Sequence, residues 1–121
     1  MRRNAQQQTL PIVTTSGSNS TAPVDVGSSA DGFALQLHGI AGGGHYVLEG
    51  SLDEGLTWTD LTAALIVTAT LAAATSPLTV DGLYNLSPTA KPFPGFVRLR
   101  CTNAGTGTPY SIIAWPDQRA V

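Results

Sequence analysis

The residues with chemical reach in this chain are few. His38 and His45 flank a glycine-rich run, Ala41-Gly42-Gly43-Gly44. Across a hairpin loop they would face each other, and Asp31 or Glu49 would add a carboxylate. A metal site needs further ligands at set spacing, and none is present, so two exposed hairpin residues are the simpler reading. Cys101 is the only cysteine, which rules out an intrachain disulfide and a cysteine-based metal site. It alternates with Val97 and Leu99, as a small core residue does. Glycoside hydrolysis needs two carboxylates roughly 5–10 Å apart across a cleft. Asp53, Glu54 and Asp60 lie close together on one hairpin and make no such pair. The glycine run has no helix and no Lys-Ser/Thr pair after it, so it reads as a flexible hairpin loop and not a phosphate cradle. The sequence therefore predicts no catalytic, cofactor-binding or metal-binding residues, and no enzyme.

Recognition is the chemistry that remains. Arg98 and Arg100 share one face of a strand, where two guanidiniums can grip a partner's carboxylates. The competing reading is a solvated face with cross-strand pairs to Asp or Glu. Arg2 and Arg3 lie in a polar N-terminal segment that ends in Gln6-Gln7-Gln8. Laid on a neighbouring subunit, that arm would use them as anchoring charges. Trp115, beside Pro116 at a strand end, is the candidate glycan platform, although one aromatic makes a weak sugar site.

Composition narrows the partners. Only 12% of the 121 residues are charged and the net charge is −2, against roughly 25% charged residues in an average soluble domain. Nucleic acid is not an expected partner. No apolar run reaches the ~20 residues of a membrane span. Met-Arg-Arg leads into no apolar segment, so no signal peptide is predicted. Depletion of Lys and Glu is a property of interface cores, and fits a protein packed against neighbours.

The elements that would position these residues are short strands. Phe33-Ala34-Leu35-Gln36-Leu37-His38 alternates, and so does Phe96-Val97-Arg98-Leu99-Arg100-Cys101. Further strands are predicted at Thr9 to Thr15, Ala22 to Val26, His45 to Gly50, Thr57 to Leu61, Leu65 to Leu71, Leu78 to Tyr84 and Tyr110 to Trp115. Some eight or nine short strands at ~8–12-residue spacing predict an all-β antiparallel sandwich, jelly-roll-like, with an extended N-terminal arm. Residues 1–15 would be arm and edge strand, and residues 16–121 one sandwich domain.

Between two of these strands stands Ser51-Leu52-Asp53-Glu54-Gly55-Leu56-Thr57-Trp58. Gly55 can take positive φ, Ser51 and Asp53 can bond nearby N–H groups, and the Trp58 indole can fold back as a plug. This Ser-x-Asp-x-Gly-x-Thr-Trp pattern resembles the Asp-box of sialidases and other propeller proteins, where it is structural and not catalytic. As a single copy in a small domain, the stretch from Phe33 to Leu61 is similar to small structural proteins of tailed-phage particles. Phe96 to Trp115 adds weaker support. The resemblance implies a non-enzymatic virion protein, most specifically a capsid decoration or cement protein that bridges capsid subunits. It also implies self-association and assembly into the virion in the host cytoplasm. A tail, neck or fibre-associated component, or a carbohydrate-binding module, is the alternative.

Overall fold

Alternation of small apolar and polar residues decides which way each strand faces. Phe33, Leu35 and Leu37 are buried while Gln36 and His38 are exposed; Val97, Leu99 and Cys101 are buried while Arg98 and Arg100 reach the opposite face. The computed structural model describes residues 5–11, 20–26, 32–87 and 95–116. Its strands are β1 (Ala5–Pro11), β2 (Val24–Asp25), β3 (Ala34–His38), β4 (His45–Ser51), β5 (Thr59–Asp60), β6 (Leu65–Val67), β7 (Gly82–Leu86), β8 (Phe96–Asn103) and β9 (Tyr110–Pro116). A single 3-10 turn, Thr62–Ala64, is the only helical element among the described residues.

Two antiparallel sheets result, one in the order β1-β9-β3-β7-β6 and one in the order β2-β8-β4-β5. The pairs β1·β9, β2·β8, β3·β7 and β4·β5 are the rungs of one long ribbon. Wrapping that ribbon brings β3 against β9 and β4 against β8. This is jelly-roll connectivity, with β6 added at one margin. The core between the sheets is built on Leu35, Leu37, Tyr46, Leu48, Leu65, Leu99 and Ile113, each at most 1% exposed. Full burial of such a side chain is worth about 1.5–3 kcal/mol.

Two threonines complete the ladders from outside the strands. The Leu48 N–H donates to Thr62 Oγ1 (3.0 Å), and the Leu99 N–H donates to Thr21 Oγ1 (3.1 Å). Thr62 is fully buried. Thr62→Val keeps the shape and removes the acceptor, so it is expected to cost about 1–3 kcal/mol, read as a lower urea midpoint.

Several expectations are corrected. β3 and β4 belong to different sheets, so Gly39–Gly44 is a crossover and not a hairpin loop, and His38 and His45 sit on opposite sheets. The crossover is not a loose one. Asp81 accepts the N–H groups of Gly39 (3.0 Å) and Ile40 (2.9 Å). The Ala41 carbonyl accepts those of Gly44 (3.3 Å) and Thr106 (3.1 Å).

The strand predicted over Leu65 to Leu71 stops at Val67. Leu71 donates back to the Val67 carbonyl (2.7 Å) at a φ of 59°, and the returning chain pairs with β6 through Val67 N–H to Ala72 and Ala74 N–H to Leu65. The strand predicted over Leu78 to Tyr84 is displaced to Gly82–Leu86. Leu78 instead pairs with Tyr46 in both directions, at 2.7 and 3.0 Å. Only Thr59–Asp60 of Thr57 to Leu61 is strand, because Asp60 accepts from the Thr62 N–H (2.8 Å) and turns the chain. At the N-terminus the paired strand is Ala5–Pro11, so Gln6-Gln7-Gln8 lies on a sheet; the predicted residues 12–15 fall outside the described ones.

Candidate functional site

The hairpin between β4 and β5 is fastened by its own side chains. The Ser51 hydroxyl donates to Asp53 Oδ1 (2.6 Å) and accepts from the Gly55 N–H (2.9 Å). Asp53 also accepts from the Thr57 N–H (2.9 Å) and the Thr57 hydroxyl (2.6 Å). Glu54 and Gly55 both take positive φ, 60° and 92°. The Trp58 indole N–H donates to the Gly55 carbonyl (3.1 Å), which folds the half-buried ring back onto the turn.

The bonds from Ser51 and then Thr57 hold the Asp53 carboxyl at about 2, below its ordinary 3.8. A carboxyl lowered by folding stabilises the fold above its unfolded value, and that contribution fades as pH falls through the folded value. The hairpin is therefore expected to loosen between about pH 4 and about pH 2, seen as a change in Trp58 emission. Asp53→Asn should lose that pH dependence.

Beside the hairpin, the outer face of β4 and β8 carries a buried carboxylate between two guanidiniums. The register sets Glu49 opposite Arg98 and Val47 opposite Arg100. Arg98 Nε donates to Glu49 Oε1 (2.8 Å) and Arg100 Nε to Oε2 (3.1 Å). Glu49 is 7% exposed. The Arg98 guanidinium also lies 4.2 Å from the centroid of the Trp58 ring, a cation–π contact. The turn and the arginine pair, two separate features in the sequence, are thus one connected unit, joined through the contact of Arg98 with Trp58.

From this unit the hairpin projects Leu52 (71% exposed) and Leu56 (84% exposed). They fill two of the three variable positions inside the turn pattern, where water-facing polar residues would serve the turn equally well. A depression of about 360 Å³ lies alongside, bounded in part by Leu52, Thr59 and Leu61. The sequence placed Glu49 beside the histidines and not between the arginines, although cross-strand pairs of Arg98 and Arg100 to Asp or Glu were one of its two readings, and it gave no role to either leucine. The leucines carried a signal, being apolar residues in a turn; Glu49 carried none without the β4·β8 register.

The other candidates are placed as follows. Trp115 is half-buried and packs against the core, so only part of its ring faces solvent. Arg2 and Arg3 lie outside the described residues. Cys101 is fully buried, and burial raises its thiol pKa. The His38 ring packs on Tyr110 (5.3 Å between centroids) and its Nδ1 lies 3.9 Å from Asp81. Bonds from the Ile40 and Gly39 N–H groups, with His38 adding to them, hold the Asp81 carboxyl below the usual carboxylate range. Among the described residues, no three His, Cys, Asp or Glu side chains gather as a metal site would require.

No protein-family model matches the chain, and no curated protein matches it in sequence. In fold it is similar to a solved structure, the SPBc2 prophage-derived protein YomS. The TM-score is 0.64 at 10% identity, over 97% of this chain and 98% of that one.

Proposed function

We propose that the chain is a non-enzymatic structural protein of a tailed-phage particle, and most specifically a capsid decoration protein. The observation that carries this is the end-to-end likeness in fold to a prophage-derived protein, with almost the full length of both chains aligned. Two features of the molecule support a mechanical role. The jelly roll is fastened at its loops by side-chain bonds, and one face ends in a stiff knob, Leu52 and Leu56, braced on Trp58, Arg98 and Glu49. Exposed apolar residues on a rigid support are what a partner's pocket would take. Repeated over many copies, modest contacts sum to a stable shell.

The partner is the major capsid protein or another virion protein, and the arginine face and N-terminal arm add contacts to those of the knob. Leu52→Ser/Leu56→Ser is expected to weaken co-sedimentation with capsids about tenfold or more, with the unfolding midpoint unchanged. Full binding by this variant would mean that Leu52 and Leu56 make no contact with the capsid. A tail or neck position is the second reading, favoured by the same likeness in fold, and the location of the chain on the particle separates the two. The packing of Trp115 against the core speaks against a glycan platform there.

A further inference from the structure

Sheet margins are where strand proteins risk pairing with strangers, and three of the four margins here are blunted. β2 and β5 are two residues each. β6 is capped by the returning chain at residues 72–74. β1 is different. It is seven residues long, it pairs with β9 along its whole length, and among the described residues nothing pairs with its other side. Its sequence, Ala-Gln-Gln-Gln-Thr-Leu-Pro, carries no charge and none of the lysines that guard an exposed edge. Gln8 is set opposite the fully buried Ile113 and so shares its face, yet both Gln8 and Thr9 are exposed. β1 is bound to its sheet by the ladder to β9.

We propose that β1 pairs antiparallel with β1 of a second copy, joining two five-stranded sheets into one of ten strands across a two-fold axis. Full overlap of Ala5–Pro11 puts that axis at Gln8. Gln8 then opposes itself, Gln7 opposes Thr9, Gln6 opposes Leu10 and Ala5 opposes Pro11. No like charges meet, and the N–H that Pro11 lacks falls in the last pair, where it interrupts nothing. A second copy fits this edge better than a foreign strand does. Every molecule brings both halves of the match, and the isologous contact closes at two copies, which ends the pairing that an unguarded edge invites. The inference stands apart from the particle-binding role, because it concerns the chain alone in solution.

Sedimentation equilibrium of the full chain tests it. A dimer is expected, with far-UV circular dichroism unchanged on dilution. Gln8→Lys sets two ammonium groups face to face at the axis and is expected to weaken the dimer about tenfold or more without lowering the unfolding midpoint. Mixing it with Gln8→Glu should restore association. Gln8→Cys should form a disulfide-linked dimer on oxidation, Cys101 being buried. A wild-type monomer at tens of micromolar, or a dimer indifferent to Gln8→Lys, would overturn the proposal. So would β1 amides that gain exchange protection only when capsids are added, since the edge would then belong to a capsid strand.

Discussion

Glu49→Ala is expected to cost about 3 kcal/mol of folding stability, more than the loss of either arginine that it pairs with. The reason is burial. The Glu49 side chain is 9% exposed and its partners Arg98 and Arg100 are 22% and 33% exposed. Removing the carboxylate leaves two guanidiniums half out of water with their shared counter-charge gone, and about 3 kcal/mol is the lower end of what breaking a buried pair costs. Arg98→Ala leaves Glu49 still bonded to Arg100, so its cost should be smaller; what it adds is loss of the contact with Trp58, seen as a shift in indole emission. A double-mutant cycle between Glu49 and Arg98 checks the pairing itself. A Glu49→Ala cost below about 1 kcal/mol would mean the pair behaves as a surface ion pair.

Gly105→Ala should be nearly as damaging, at about 3 kcal/mol, the upper end of overpacking. A Cβ at Gly105 would overlap the Ala41 carbonyl oxygen and stand 2.8 Å from the Gly44 nitrogen. Both obstacles are backbone, which cannot swing aside. The Ala41 carbonyl is also the group that accepts from Gly44 and Thr106, so pushing it away breaks the lock between the β3–β4 crossover and the β8–β9 turn. Gly95→Ala is the control, because a Cβ there meets nothing within 4 Å; its effect should stay within about 0.5 kcal/mol. Urea unfolding of the two variants side by side measures the difference.

These two sites also mark the limit of what local sequence could tell. The period-two runs Phe33 to His38 and Phe96 to Cys101 announced their strands, because a sandwich strand with one buried face must alternate. The all-β antiparallel sandwich follows from these two runs together with seven further short strand-like segments at regular spacing. The turn residues Ser51, Asp53, Gly55, Thr57 and Trp58 were legible because each bond they make spans at most four residues. Gly39–Gly44 was not, since Asp81, Gly105 and Thr106, which pack on it or bond to it, lie about forty to sixty residues later and only the wrapped ribbon brings them together. The role of Glu49 between the two arginines was hidden for the same reason. Its burial depends on Arg98 and Arg100, which stand 49 and 51 residues away. The turn after Val67 was hidden differently: Leu71 takes positive φ, a position where sequence reasoning looks for Gly or Asn.

We propose that this chain is a built-in part of a phage particle, and cryo-EM of particles purified from a culture that expresses it from its native genome decides between its presence there and its absence. Jelly-roll density is expected in many copies over junctions between capsid subunits, with the Leu52 and Leu56 hairpin turned toward the shell. Particles that contain no copy of the chain would contradict the proposal.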